Sequence, residues 1–283
     1  MAGMLEGKTA LVTGGGAGIG KATAMLMAAE GARVVVADIN AQSGEETARV
    51  IRSSGGEAVF TRADSGDEQE IAAMVSFAIR SYGALDCAFN NAGIFHSSVG
   101  ASGPLHELTS DHFDGIVRVN MRGVFLCMKY ELAHMESRGT GTIVNTSSIA
   151  GVRGLGGSAL YTATKHAVVG LTRAAALEYA GRGVRVNAVC PGWTRTERFD
   201  ESVGANSPWE AQMKNSTPLG RLGTTREIAE AVAWLCSERS SFVTGQAFAV
   251  DGGFTAGPSL SVFTGGAREN LERLATNRAA GRQ

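Results

Sequence analysis

The stretch KTALVTGGGAGIGKATAMLMAAEGARVVVADIN, residues 8–40, decides the fold. An apolar, β-rich run (TALVT) ends at Thr13, five glycines fall between Gly14 and Gly20, a helix-forming run follows, and RVVVAD ends at Asp38. Both β-rich runs are continuously apolar rather than alternating, which is the pattern of parallel strands covered on both faces by helices. The order strand, tight turn, helix, strand is therefore one βαβ unit.

Working outward, the same alternation continues. Further strand candidates are AVFTR, LDCAFNNAG, GTIVNTSS, GVRVNAVCPG and QAFAVDGG. Between them lie helical patterns at QSGEETARVIRSSG, DEQEIAAMVSFAIRSYG, Ser110 to Ser137, Ser158 to about Ala180, and TREIAEAVAWLCSE. Seven strands and six major helices imply an α/β fold: a doubly wound, seven-stranded parallel sheet of Rossmann type with helices on both faces. No linker divides residues 1–257, so they are expected to form a single dinucleotide-binding and catalytic domain. Residues 193–217 follow a strand end and mix charge with bulky apolar side chains, as a mobile substrate lid would. Residues 258–283 form a C-terminal extension with an expected short helix, ARENLERLATNR, that places Leu271, Leu274 and Ala275 on one side.

Composition removes several function classes. The 26 basic and 27 acidic residues leave no electrostatic footprint for nucleic acid. No run approaches the ~18 apolar residues of a membrane span, and MAGMLEGKTALV shows no basic segment followed by a long apolar one, so a cytoplasmic protein is expected. Cys87, Cys127, Cys190 and Cys236 form no CxxC pair, and neither they nor the five histidines have metal-site spacing, so no metal is expected. The 38 glycines are nearly twice the usual share of about 7%, and they gather where strands end.

The glycine loop discriminates between nucleotides. A triphosphate cradle, GxxxxGK[ST], fails because Ala22 stands where the magnesium-binding hydroxyl belongs. The GxGxxG fingerprint fails at Ala17 or, one residue later, at Lys21. GxxxGxG fits, with Gly14, Gly18 and Gly20 allowing pyrophosphate to approach the N-terminus of the next helix. Ordinary turn chemistry is the competing account of these glycines. Asp38 supplies context: a carboxylate at the end of the second strand accepts hydrogen bonds from the adenosine ribose and repels a 2′-phosphate. With Ala17 in place of a cation, the preference is for NAD over NADP, with Lys21 and Arg33 left open as possible phosphate partners.

Tyr161 and Lys165 share one helix face at a spacing of four. An ammonium beside a phenol favours the phenolate and moves its pKa, ordinarily near 10, toward the working range. A plain surface pair is the competing reading. The pair follows a strand and loop, IVNTSSIAGVRG, that brings Ser148 to a strand end, where its hydroxyl could hold a substrate oxygen; Ser147 is its competitor. No GxSxG motif surrounds either serine, which disfavours a hydrolase triad.

With TGGGAGIG at 13–20, NNAG at 90–93, SSIAG, YTATK at 161–165 and PGWTRT at 191–196, the chain resembles the short-chain dehydrogenase/reductase family from Leu5 to Gly257. That resemblance implies a catalytic tetrad of Asn120, Ser148, Tyr161 and Lys165, and selects Ser148 over Ser147. It implies Tyr161 as acid/base, Lys165 lowering its pKa and binding the nicotinamide ribose, and Asn120 supporting a water-linked proton path. Asn120 could otherwise be a helix-kink residue, and Asp64 a helix cap. The cofactor set implied is Gly14, Gly18, Ile19, Gly20, Asp38, Ile39, Asp64, Ser65, Asn91, Ala92, Gly93, Tyr161, Lys165, Pro191, Gly192, Thr194 and Thr196. A homo-oligomer, most often a tetramer, is implied as well, whereas the long tail departs from the family's usual ending soon after the DGG turn at 251–253.

Candidates for the substrate wall are His96, Arg153, Leu155, Ser158, Trp193, Phe199, Trp209 and Met213, with Arg153 equally readable as a solvated loop residue. These residues suggest a partly apolar, roomy pocket, and the expected function is NAD-dependent hydride transfer between nicotinamide and a cyclic or medium-sized secondary alcohol or its ketone. The rivals are an NADP-dependent reductase of acyl-thioester or quinone carbonyls, and a non-catalytic NAD(H)-sensing protein.

Overall fold

A computed structural model describes residues 3–204 and 206–257; the expected tail helix lies outside the described residues. The main sheet contains β1 (Thr9–Thr13), β2 (Arg33–Asp38), β3 (Glu57–Arg62), β4 (Cys87–Asn90), β5 (Gly141–Thr146), β6 (Val184–Pro191) and the last strand, β9 (Ala247–Val250). Its order is β3-β2-β1-β4-β5-β6-β9, with every pairing parallel. The chain winds outward from β1 to β3 and then returns to lay β4 on the other side of β1. This reversal opens a crevice at the carboxyl ends of β1 and β4, where doubly wound sheets bind ligands.

Successive residues of each strand feed opposite faces. Ala10, Val12, Val34 and Val36 pack with α1 (Gly18–Ala29) and α9 (Thr225–Cys236). Leu11, Val35, Ala88 and Ile143 pack on the other face with α3 (Glu68–Tyr82), α5 (Val124–Arg138) and α6 (Ala159–Tyr179). α2 (Ala41–Ser53) completes the first face, with Ala48 and Ile51 buried in it.

The expected long helix from Ser110 to Ser137 is interrupted. α4 (Ser110–Val117) passes through a π-helical turn, Arg118–Gly123, before α5 begins. The segment 193–217 also holds unforeseen structure: β7 (Thr194–Arg195) pairs with β8 (Gly223–Thr224), and α7 (Glu197–Val203) and α8 (Pro208–Ser216) lie between them.

Helix starts divide into two kinds. Asn40, Asp67, Thr109 and Thr224 cap α2, α3, α4 and α9 with side-chain acceptors. Ala17 and Ser158, ahead of α1 and α6, make no such bond. These two helices begin at the crevice, whereas α5, also without a side-chain cap, continues directly from the π-helical turn.

The core contains one polar knot. Parallel register puts Asn90 beside Asn145. The Asn90 Nδ2 donates to Glu131 Oε2 at 2.9 Å and to Asn145 Oδ1 at 3.0 Å, while Asn145 Nδ2 donates to Thr172 Oγ1 at 3.0 Å. Glu131 is completely buried, and burial pushes its carboxyl up to about 7, against the smaller opposing effect of the Asn90 bond. Since the folded pKa exceeds the ordinary 4.5, stability is greatest below that value and falls as pH rises toward 7. The loss is on the order of 3 kcal/mol at about 1.4 kcal/mol per unit. Glu131→Gln is therefore expected to raise urea stability at pH 8 by about 2–3 kcal/mol and to change it little at pH 5. An equal change at both pH values would contradict the burial argument.

Candidate active site

Gly14 and Gly18 adopt φ of +62° and +52°, the left-handed backbone that the turn between β1 and α1 requires. The NNAG segment braces that turn. Thr13 Oγ1 accepts from the amides of Asn91 at 3.0 Å and Ala92 at 3.1 Å, while Asn91 Nδ2 donates to the carbonyls of Thr13 and Gly14 at 3.1 and 3.3 Å. A methyl group at Gly20 would collide with the Gly14 carbonyl oxygen and stand 2.6 Å from Asn91 Nδ2. Glycine at position 20 is thus a packing requirement.

The Asp38 carboxylate is held at the lip of the loop by the Gly16 amide at 2.8 Å and the Asn40 amide at 2.9 Å. Arg33 sits at the opposite end of β2, over the Tyr82 ring at 5.3 Å and within 3.2 Å of Thr9 Oγ1. Lys21 lies near enough to Glu46 to help hold that carboxyl low, behind the stronger bond from Arg49.

At the uncapped start of α1, the Gly18 amide donates to Glu197 Oε2 at 3.2 Å. A carboxylate here stands where an anion is favoured by the helix dipole and free N–H groups. The uncapped helix, the compact glycine turn and the fixed Asp38 fit the pyrophosphate and ribose of a dinucleotide. Sequence reasoning missed Glu197, which no phosphate motif includes.

The other cofactor candidates are distributed around this crevice. Ile19 packs against the first core face, and Ile39 is 56% exposed just past β2. Asp64 accepts from the Gly66 amide at 2.7 Å and Arg118 at 3.0 Å; burial raises its pKa, but these two donors outweigh it and hold the carboxyl low. Ser65 is buried against the π-helical turn, where a methyl at Gly123 would strike its carbonyl oxygen. Pro191 ends β6 and Gly192 follows; Thr194 Oγ1 donates to the Gly192 carbonyl at 3.1 Å. Thr196 caps α7, accepting from the Phe199 amide at 3.1 Å, and its methyl approaches Gly18.

Across the crevice, α6 carries Tyr161 and Lys165, both buried. Lys165 Nζ lies 5.6 Å from the Tyr161 ring centroid and donates to the Thr146 carbonyl at 2.8 Å. Ser148, at the end of the β5 loop, lies close enough to Tyr161 to pull its pKa down against burial, and its Oγ accepts from the Ala150 amide at 3.1 Å. Ser147 points elsewhere, donating to the Lys165 carbonyl at 2.9 Å. Asn120 is completely buried in the π-helical turn, where its Oδ1 accepts from the Ile94 amide and its Nδ2 donates to the Ile94 carbonyl, each at 2.8 Å. A methyl on Gly93 would lie 3.2 Å from Asn120 Oδ1 and 3.6 Å from Lys165 Nζ, so these residues surround one small space.

The electrostatics differ from the expectation that a nearby lysine brings the phenol down. Burial pushes Tyr161 up to about 12, with Ser148 opposing it, and pushes Lys165 down to about 8, with Cys190 opposing that shift. Desolvation penalises both charges, and the Thr146 carbonyl engages the ammonium. Burial opposes both charged forms, yet a Lys165 pKa of about 8 leaves it an ammonium at neutral pH, and a cation beside the phenol favours the phenolate.

The substrate candidates are unevenly placed. His96 stands edge-on to Tyr161 with centroids 6.1 Å apart, Leu155 packs in the Tyr161 cluster, and Ser158 is buried at the start of α6. Arg153 is exposed but lies over Phe254 at 5.1 Å and donates to its carbonyl at 3.3 Å, while Trp193 meets the same ring edge-on at 6.1 Å. Phe199 lies in the first turn of α7, Met213 is half-buried on α8, and Trp209 is 65% exposed. A cavity of about 290 Å³ lies between Trp193, Thr217, Leu219, Arg221 and Asp251; Tyr161 does not line it, and the chemistry is carried by the polar cluster instead. Among the described residues, no helix is long and apolar enough to cross a membrane, and no group of three metal-ligating side chains is found.

Comparison with known proteins places this arrangement. The family model described as enoyl-(acyl carrier protein) reductase matches residues 14–255. The chain is 46% identical over 253 residues to a 2,5-dichloro-2,5-cyclohexadiene-1,4-diol dehydrogenase of Sphingobium indicum, covering 89% of this chain and 98% of that protein. It is 42% identical over 256 residues to a cyclohexanol dehydrogenase of Acinetobacter sp., covering 90% and 98%. The crystal structure of levodione reductase superposes with a TM-score of 0.83 at 37% identity, covering 89% of this chain and 99% of that one. The parallel sheet, the glycine turn and these matches make one assignment: the chain belongs to the short-chain dehydrogenase/reductase family.

Proposed function

We propose that the protein is an NAD-dependent dehydrogenase of cyclic secondary alcohols, with Tyr161 as the acid/base. It is an oxidoreductase acting on CH–OH groups, like the relatives named above. The observation that carries the reading is the convergence of Tyr161, Ser148, Lys165 and Asn120 in one buried space at the carboxyl ends of β4 and β5. Two of the named relatives act on six-membered ring alcohols by their names, and the partly apolar surroundings of Tyr161 suit such a ring.

Gly14, Gly18, Gly20 and Asp38 would hold the dinucleotide, with Asn91, Ala92, Gly93, Gly192, Thr194 and Thr196 along its path. When bound, NAD supplies a hydride acceptor and a positive charge. Ser148 Oγ orients the alcohol oxygen, Tyr161 Oη takes its proton, and Lys165 stabilises the resulting phenolate. Asn120 fixes the Gly93–Ile94 backbone beside Lys165 and so keeps the proton exit in shape. Residues 1–257 act as one catalytic domain with residues 193–217 as its lid and 258–283 as an extension. A cytoplasmic homotetramer accords with the family and with exposed apolar residues such as Phe113, Phe125 and Leu177.

NAD preference rests on Asp38, whose carboxylate is fixed by the Gly16 and Asn40 amides, while Arg62, its register neighbour on β3, is engaged by Glu70 at 2.8 Å and Arg33 lies at the other end of β2. Wild type is expected to bind NAD at least about 100-fold more tightly than NADP, and Asp38→Ala to narrow that gap by about tenfold or more, since each tenfold is ~1.4 kcal/mol. Fluorescence titration with both reduced cofactors measures the ratio; tighter NADP binding by wild type would overturn the assignment. Oxidation of cyclohexanol, followed as NADH formation, tests the reaction itself.

A further inference from the structure

Phe95 falls outside every motif, yet its ring is the one laid flat on Tyr161. The centroids are 5.1 Å apart and the planes differ by 8°. His96 closes the corner, edge-on to Phe95 at 6.1 Å and 69°, and to Tyr161 at 6.1 Å and 72°. Burial depresses the His96 pKa, so at neutral pH this corner is uncharged as well as aromatic.

The local chain explains the placement. Ile94 is clamped by Asn120 through both its amide and its carbonyl, so the residue after it leaves β4 in a fixed direction. Phe95 then stands at the start of a short 3₁₀ turn, His96–Val99, with an extended backbone. Tyr161 is 8% exposed, whereas Phe95 is 48% exposed. One face of Phe95 therefore covers the phenol, and the remainder of a large apolar side chain lies bare beside the reacting hydroxyl.

Stacking on Tyr161 accounts for one face of Phe95, and the part of the ring left exposed gains further when something apolar covers it. The reacting alcohol must reach Tyr161 Oη and Ser148 Oγ, which brings its carbon skeleton alongside this ring. We infer that Phe95 is a specificity-determining residue, forming with His96 the apolar wall against which the ring of a cyclic alcohol packs. A flat or puckered six-membered ring covers much of such a wall; a short acyclic chain covers little. The inference rests on the function proposed above and adds to it the residue that selects the substrate's shape.

The test compares kcat/KM for cyclohexanol and for 2-butanol in wild type, Phe95→Ala and Phe95→Leu, with NADH affinity measured on each. Phe95→Ala is expected to lower kcat/KM for cyclohexanol by about tenfold, mainly through KM, and that for 2-butanol by less than about threefold. The difference corresponds to roughly the ~0.8 kcal/mol per buried CH₂ scale of apolar contacts. Phe95→Leu, which restores apolar volume, should fall between. NADH affinity should stay within about twofold. Equal losses on both alcohols would mean that Phe95 merely holds Tyr161 in place, and no loss on either would remove it from recognition; either result overturns the inference while leaving the enzyme function standing. A wild type that oxidises neither alcohol contradicts the function and the inference together.

Discussion

Tyr161→Phe is expected to lower kcat for alcohol oxidation by about 1,000-fold or more, the range in which a positioned acid/base contributes. The substitution removes one oxygen and leaves the ring that packs with Ile116, Ala150 and Phe95. NADH affinity should change by less than about threefold, because the glycine turn and Asp38 lie across the crevice and lose nothing. Ser148 keeps its bond from the Ala150 amide, so the thermal midpoint is expected to move by only a few degrees, on the scale of about 1 kcal/mol for one buried hydroxyl. Steady-state kinetics together with cofactor titration measure both quantities. Activity within tenfold of wild type would remove Tyr161 from the chemistry and leave Lys165 or Ser148 to explain proton transfer.

The second large effect concerns the turn itself. Gly20→Ala is expected to weaken NADH binding by at least about 100-fold and to lower stability by on the order of 1–3 kcal/mol, the cost of overpacking a filled site. The added methyl has nowhere to go: the Gly14 carbonyl and the Asn91 side chain block it, and both are rigid, since Asn91 Nδ2 is bonded to the Thr13 and Gly14 carbonyls. Relief requires moving the Gly14 turn away from β4, which displaces the N-terminus of α1. Ligand titration and urea unfolding separate the two effects. Near-normal affinity in a folded variant would show that the turn is not the dinucleotide cradle.

The sheet was legible because each strand carries its own signal: continuous apolar runs separated by helical patterns leave little room for another order. Tyr161 and Lys165 could be singled out for a related reason, since helix periodicity stacks them on one face, while the strand end brought Ser147 and Ser148 forward together and only the family resemblance chose between them. At Arg118–Gly123 the sequence offered a helix kink at Asn120 only as an alternative reading, and the π-helical turn itself was not legible, because RVNMRG contains no proline to mark where the helix departs from its regular path. Its effect is large: it directs Asn120 onto the Ile94 backbone rather than along the helix.

Phe95 and Glu197 were missed because their partners, Tyr161 and Gly18, are distant in sequence and the contacts follow from loop paths. The two short helices within residues 193–217 carry caps at Thr196 and Ser207 that could have revealed them. The electrostatic sign at Tyr161 needed burial as well as proximity, because desolvation competes with the lysine that spacing alone brings near.

The most direct measurement of the central claim is the fate of the carbinol hydrogen of cyclohexanol. With cyclohexanol deuterated at C1, NAD and wild-type protein, mass spectrometry of the reduced cofactor should find the deuterium on NADH in nearly every turnover, with cyclohexanone as the organic product. No reduction of NAD, or a label lost to water before reaching the cofactor, would contradict direct hydride transfer and with it the function assigned here.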